Sequence, residues 1–171
     1  MENCICVKKE NNQIYLTYKT MKVPATIGKE GFTNNTVEGD MKTPIGEFDL
    51  GIAFGKYERS EININEDIPY FKIQDNQYWI DDINSKFYNQ LITLDKKPTI
   101  SGEHLIEYAN NGYEYAIEIK VNPHNIIGKG SAIMLHCTDG EYTYGCVGIA
   151  RENMIKLLGM IDSNTKIKIE N

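Results

Sequence analysis

Two side chains in the last third of the sequence could perform nucleophilic chemistry, the thiol of Cys146 and the imidazole of His136. An apolar segment, residues 131–135, predicts a strand that delivers His136 at its end. The polar segment 138–143 predicts a loop that doubles back and returns Cys146 to the side of His136. A thiol beside an imidazole suits nucleophilic catalysis, because the histidine can remove the thiol proton.

The residues around Cys146 favour an activated thiol. Gly145 precedes it and a helix is predicted to begin near Arg151, so we expect the thiol on a tight turn close to a helix N-terminus. Converging backbone N–H groups, the helix dipole and a nearby imidazole would each lower the pKa of the thiol. The same N–H groups could hold an oxyanion.

Spacing alone leaves three interpretations open. The first is a cysteine–histidine nucleophile pair, and the second is a buried thiol accompanied by a structural histidine. The third is a metal site, which would use His136, Cys137 and Cys146 together with His124. Residues 136 and 137 are adjacent on a predicted strand and point to opposite faces, which disfavours the metal site.

The elements that must position these residues are mostly strands. Alternating or continuous apolar residues predict strands at 14–18, 21–27, 48–52, 115–121, 131–136 and 165–169. Residues 70–73 and 78–80 are predicted to form a hairpin, and residues 30–46 are predicted to be loop. One helix is predicted at residues 151–161, without a good N-cap because Ala150 offers no side-chain acceptor. The fold class is therefore mostly β with one helix near the C-terminus.

Length and composition indicate the number of domains and disfavour one class of partner. A chain of 171 residues without a linker or an internal repeat is expected to form a single domain, residues 1–171. The net charge is −6, and Arg59 and Arg151 are the only arginines. Nucleic acid is therefore disfavoured as a partner, because phosphate binding needs a clustered basic face.

No apolar run is long enough for a signal peptide or a membrane span, so the sequence carries no visible export signal. The four cysteines are too few and too unevenly spread for a disulfide scaffold, so we interpret them as thiols: Cys4, Cys6, Cys137 and Cys146. Cys4 and Cys6 are expected on the same face of a first strand, as apolar strand residues.

The chain resembles the catalytic segment of the L,D-transpeptidase (YkuD-like) family in two segments that a variable loop separates, Gly130 to His136 and Thr143 to Ile149. More specifically, these segments resemble the branch of the family whose nucleophile lies in a Thr-x-Gly-Cys-Val motif. The resemblance is strongest over residues 20–162. Further matches are Val23-Pro24-Ala25, Glu38-Gly39-Asp40, Thr43-Pro44, Trp79, Asp81-Asp82, Tyr88, Asn89, Ser101, Glu103 and Asn122.

The resemblance implies a β-sandwich or open barrel with one packed helix, and a cysteine peptidyltransferase that acts on peptidoglycan stem peptides through a thioester. It implies no metal or organic cofactor. The alternatives are an L,D-carboxypeptidase that trims tetrapeptide stems, and a non-catalytic cell-wall binding domain. An extracytoplasmic location is implied, whereas the missing export signal would make the protein cytoplasmic if this is the full chain.

The resemblance also assigns roles residue by residue. Cys146 is the nucleophile, His136 is the base, and the backbone N–H groups of Gly145 and Cys146, together with that of Tyr144, form the oxyanion hole. Substrate contacts are expected from Arg151, Asn122, Glu103 and Trp79. Two departures from the wider family put donor and acceptor specificity in doubt: Tyr144 stands where a second histidine is common, and Gly148 where an arginine is common.

Overall fold

The computed structural model describes residues 3–171. Its strands are β1 Cys4–Glu10, β2 Gln13–Tyr18, β3 Met21–Thr26, β4 Phe32–Thr33, β5 Thr43–Pro44, β6 Gly46–Gly55, β7 Tyr70–Lys72, β8 Gln77–Ile80, β9 Leu91–Thr93, β10 Gly102–His104, β11 Tyr115–Ile119, β12 Met134–Cys137, β13 Val147–Ile149 and β14 Lys166–Glu170. The α-helix α1 is Arg151–Leu158, and short 3-10 helices lie at Arg59–Glu61 and Leu105–Tyr108. The predicted fold class, mostly β with one helix near the C-terminus, is confirmed.

Nine of the described strands form one sheet in the order β11-β12-β13-β3-β2-β1-β14-β6-β7, and β11 also pairs with β6. The long strand β6 makes this closure possible. Its first half, Gly46 to Asp49, pairs with β14, and its second half pairs with β11. The sheet therefore closes on itself like a barrel between β11 and β6, which covers the free edge of β11, and β7 is added beside β6.

Strand β1 shows how residue pattern produces this sheet. Ile5 and Val7 have no exposed surface and face the core, and in β14, the parallel partner of β1, Ile167 and Ile169 do the same. Cys4 and Cys6 share the opposite, partly exposed face, as period-two alternation requires. All four cysteines are free thiols.

Helix α1 covers one part of the barrel. Met154, Leu157 and Leu158 are buried, and α1 packs on β11 and β12. No side chain caps its N-terminus at Ala150, as the sequence predicted. The helix ends at Leu158 rather than at residue 161, because Gly159 takes the C-cap position. Within residues 3–171, no helix has the length and apolar character needed to cross a membrane.

A second, smaller sheet, in the order β10-β8-β9, lies over one side of the barrel. It contributes Trp79 to a second buried cluster that includes Phe54 and Met134. The hairpin predicted from residues 70–80 is wrong. Strand β7 instead pairs in parallel with β6, where Phe71 stacks on the distant Phe54 with 5.2 Å between ring centroids. Strand β8 pairs with β9 and β10.

Candidate active site

Cys146 lies directly before β13, and its sulfur is held by the chain that enters β12. Sγ donates a hydrogen bond to the carbonyl of Ala132 and accepts one from the N–H of Met134, both at 3.3 Å. Ala132 has a φ of 50°, which turns the chain so that both backbone groups reach the sulfur. The strand predicted at 131–136 therefore begins only at Met134, because a residue in the left-handed region cannot continue a strand.

Two threonines fix the turn that carries the thiol. Thr43 Oγ1 donates to the carbonyl of Gly145 at 2.9 Å, and Thr143 Oγ1 donates to the carbonyl of Cys146 at 2.6 Å. Gly145 has a φ of 142°, and a Cβ atom there would lie 3.1 Å from the carbonyl oxygen of Lys42. The turn before the thiol therefore requires glycine at this position.

The N–H groups of this turn are not equally available. The N–H of Gly145, which the sequence assigned to the oxyanion hole, donates to Thr143 Oγ1 at 3.1 Å. Within residues 3–171, the N–H groups of Tyr144 and Cys146 donate to no loop or side-chain acceptor. Tyr144 and Cys146, rather than Gly145, are thus the residues of the turn with N–H groups left to meet a ligand.

A cavity of about 370 Å³ opens at Cys146. Its walls come from the loop at residues 36–42, the smaller sheet and the chain before β12, and they include Glu38, Asp81, Glu103, Tyr108 and Tyr144. The side chain of Tyr144 is 75% exposed at the mouth of the cavity. A small molecule or a peptide end can therefore approach the thiol from this side.

The thiol is protonated in the resting structure. Burial, and then the negative charge of Glu103, raise the pKa of Cys146 to about 12, although the N–H of Met134 acts in the opposite direction. The lowered thiol pKa expected from the sequence is therefore wrong. Strand β13 and Ala150 stand between Cys146 and the start of α1 at Arg151, five residues along the chain or about 16 Å at 3.3 Å per residue, so the helix dipole is too distant to help.

His136 lies on β12, opposite Gly148 of the parallel strand β13. Its Nδ1 is 2.7 Å from the carbonyl oxygen of Cys137, so Nδ1 carries the proton and Nε2 is left with its lone pair. Burial lowers the pKa of His136 below its usual 6.5, which keeps the ring neutral near pH 7. The edge of the ring meets Tyr113, with 5.5 Å between centroids.

The thiol and the imidazole line different cavities. His136 borders a second cavity of about 500 Å³ together with Glu114, Thr138 and Arg151. Within residues 3–171 no hydrogen bond joins His136 to Cys146, whose sulfur is bound to backbone atoms instead. The loop between them brings β13, which directly follows Cys146, beside β12, which carries His136.

Of the four predicted substrate contacts, Glu103 lies in the Cys146 cavity. Its Oε2 accepts a hydrogen bond of 2.7 Å from the hydroxyl of Tyr113, the residue whose ring contacts His136. Tyr113 was missed in the sequence, because nothing in its local pattern distinguishes it from other strand and turn tyrosines. Only the folded chain shows that it connects Glu103 to His136.

The other three predicted contacts lie elsewhere. Arg151 borders the His136 cavity and donates to the hydroxyl of Tyr57 at 2.7 Å. The amide of Asn122 binds the backbone of its own loop, at the carbonyls of residues 126 and 130, and Trp79 Nε1 donates to Asn89. Neither Asn122 nor Trp79 lines the Cys146 cavity.

The chain was compared with known proteins. The model of one family, described as L,D-transpeptidase catalytic domain (YkuD), matches residues 2–169. Among solved structures, the chain is similar to an L,D-transpeptidase from Mycobacterium smegmatis, with 13% identity over 99% of this chain and a TM-score of 0.48. It is also similar to L,D-transpeptidase 1 of Mycobacterium tuberculosis, with 13% identity over 98% of this chain and a TM-score of 0.45.

The chain spans 59% of the length of the first of these structures and 58% of the second. A comparison with curated protein sequences finds no match.

Proposed function

The chain belongs to the L,D-transpeptidase catalytic domain (YkuD) family, and from that premise we propose that it is a cysteine peptidyltransferase acting on peptidoglycan stem peptides. The observation that carries the proposal is the place of Cys146. Its thiol lies in a cavity, on a glycine turn, between backbone groups that bind the sulfur and N–H groups that remain available. A structural thiol would need none of this arrangement.

In the first half-reaction, Sγ of Cys146 attacks the carbonyl carbon of the third residue of a tetrapeptide stem. A thiol with a pKa of about 12 is almost entirely protonated near pH 7, so it needs a base as it attacks. His136 is neutral, and its Nε2 has a free lone pair. In this proposal Nε2 takes the thiol proton and then gives it to the amine of the departing D-residue.

The tetrahedral intermediate carries a negative oxygen that must be stabilised. The N–H groups of Cys146 and Tyr144 are the donors assigned to it here, because the N–H of Gly145 already binds Thr143. Donors fixed in a partly closed cavity stabilise such an oxygen more than water does, since they need no reorganisation. Collapse of the intermediate leaves a thioester on Cys146.

The second half-reaction decides the product. An amine from another stem peptide attacks the thioester and gives a crosslink, whereas water gives a shortened stem. The second outcome is that of an L,D-carboxypeptidase, which would use the same nucleophile and the same base. We propose crosslinking as the main outcome of the second half-reaction.

The proposal is tested by trapping the thioester. We expect a stem tetrapeptide, or a carbapenem as an acylating probe, to add one acyl group to Cys146, located by mass spectrometry of proteolytic peptides. Cys146→Ser should abolish the adduct. Cys137→Ser is the matched control and should retain it, because Cys137 is buried and its sulfur binds the carbonyl of Tyr115. An adduct on Cys137 with Cys146 unmodified would overturn the assignment.

A further inference from the structure

Two carboxylates lie on one face of the smaller sheet, beside the proposed nucleophile. Glu103 in β10 pairs with Trp79 of β8, and the N–H of Asp81, directly after β8, donates to the carbonyl of Ser101. Because alternate residues of a strand share a face, Glu103 and Asp81 are diagonal neighbours on the same side of the sheet. Both line the cavity that contains Cys146.

Among residues 3–171, no lysine, arginine or histidine forms an ion pair with either carboxylate. Glu103 accepts one neutral hydrogen bond, from Tyr113, through Oε2. Asp81 Oδ1 is fully buried and has no hydrogen-bond partner. Lys42 also lines the cavity, but within residues 3–171 it forms no ion pair with either carboxylate. A buried carboxylate oxygen without a donor is costly, so it favours a ligand that brings one.

The two other acidic residues of the cavity are already occupied. Glu38 accepts hydrogen bonds from the hydroxyls of Tyr88 and Ser131, and Asp40 accepts from the backbone N–H groups of Val37 and Lys42. These contacts hold the loop at residues 36–42 in place. Glu103 and Asp81 are therefore the acidic residues of the cavity that remain able to bind a ligand.

The negative charge of Glu103 also affects the pKa of the Cys146 thiol. Burial first, and then Asp81 and Glu38, raise the pKa of Glu103 to about 7, against a lowering by the Tyr113 hydroxyl. The charge of Glu103 in turn is one of the causes that raise the pKa of Cys146. Glu103 thus makes ionisation of the Cys146 thiol harder. A cation bound at Glu103 would reverse that effect, because an opposite charge nearby favours the ionised form.

We propose that Glu103, with Asp81 beside it, binds a primary ammonium group of the donor stem peptide in the Cys146 cavity. The inference rests on the proposed function, and it adds that the third residue of the donor stem carries a side-chain amine. The ammonium would donate to the free oxygens of Glu103 and Asp81. Substrate binding would then neutralise the charge that opposes thiolate formation, so the correct donor would help to activate the nucleophile that attacks it.

The test uses two synthetic stem tetrapeptides that are identical except at the third residue. Its side-chain amine is free in one peptide and acetylated in the other. For the intact wild-type protein, we expect kcat/KM for acylation of Cys146 to be about tenfold or more higher with the free amine, which is the size of a charge-assisted hydrogen bond. Glu103→Gln should remove most of this preference, and Asp81→Asn should reduce it.

Glu107→Gln is the matched control. Glu107 is an exposed residue of the adjacent 3-10 helix and does not line the cavity, so this variant removes the same charge and should keep the preference. A second measurement separates charge from structure. Glu103→Gln should make Cys146 react faster than wild type with iodoacetamide at pH 8, whereas a purely structural role for Glu103 would slow the reaction or leave it unchanged.

The outcomes separate the two proposals. If wild-type Cys146 is acylated equally by both peptides, or if Glu103→Gln keeps the preference, the ammonium subsite is wrong while the peptidyltransferase function stands. If neither peptide acylates Cys146 although iodoacetamide still modifies it, the proposed function itself fails and the subsite fails with it.

Discussion

At Cys146, two hydrogen bonds act on the sulfur in opposite directions. Donation to the carbonyl of Ala132 requires the proton, whereas the N–H of Met134 stabilises a negative sulfur. Burial decides the balance, and the thiol keeps its proton at neutral pH. The proposed reaction therefore depends on a base that is neutral at the same pH, and burial keeps His136 in that form.

Replacing His136 should remove this base. We expect His136→Ala to slow acylation of Cys146 by about 100-fold or more near pH 7.5, the usual contribution of a positioned base. The pKa of His136 is lowered, so in wild type the neutral base is present above that pKa and is lost as the pH falls through it, below the usual 6.5. Acylation rates measured from pH 5 to 8 should show this acidic limb in wild type and not in His136→Ala.

The control is His124→Ala, because His124 is exposed and lies outside both cavities. It should match wild type at every pH. Equal slowing in the two variants would show a folding defect instead of a lost base, and an unchanged rate in His136→Ala would remove His136 from the mechanism.

Among the elements, β13 is packed so closely that it has no space for a side chain at its centre. A Cβ atom on Gly148 would lie 2.4 Å from Cγ2 of Thr138 and 2.9 Å from Oγ1 of Thr26. This close packing accounts for glycine at the centre of β13. The N–H of Thr138 donates to the carbonyl of Ile149, which holds Thr138 against β13 beside Gly148.

We expect Gly148→Ala to lower the free energy of unfolding by about 1–3 kcal/mol, because overpacking forces neighbouring atoms to move. Urea denaturation measures the change. Thr138→Ser in the same chain deletes Cγ2, the nearest atom, and keeps the hydroxyl that accepts from the N–H of Gly140. The double variant should recover part of the loss. If Thr138→Ser does not relieve the effect of Gly148→Ala, the contact with Thr138 is not its cause.

The strands and loops also show which features the sequence could predict. Strands such as β1 and β2 follow from local alternation, and the loop between His136 and Cys146 follows from its polar residues. The partner of β7 could not be found this way, since the stacking of Phe71 on Phe54 joins residues far apart in the chain. The raised pKa of Cys146 was missed for a similar reason, because burial by segments distant in the chain, and then the charge of Glu103, produce it.

The net charge of the protein and the lining of the Cys146 cavity both favour an amine as the reacting partner. The net charge is −6, and the cavity at Cys146 is lined by four acidic residues and one lysine. His136 borders the second cavity, which Glu114 and Arg151 also line. An amine that approaches an acidic protein arrives as an ammonium ion, yet only the free base can attack a thioester.

Crosslinking and trimming should therefore respond differently to pH. Below the pKa of a lysine-type amine, ordinarily about 10.4, each pH unit raises the free-base fraction of the amine about tenfold. The rate of transfer to the amine should therefore rise steeply with pH, while the rate of hydrolysis should change less. We expect the ratio of crosslinked dimer to trimmed tripeptide, counted by chromatography from one disaccharide-tetrapeptide substrate, to rise between pH 6.5 and 8.5. An otherwise identical substrate with an acetylated acceptor amine should give tripeptide alone. Tripeptide without dimer from the free-amine substrate at both pH values would make the protein an L,D-carboxypeptidase, because water would then be the acceptor that the folded site selects.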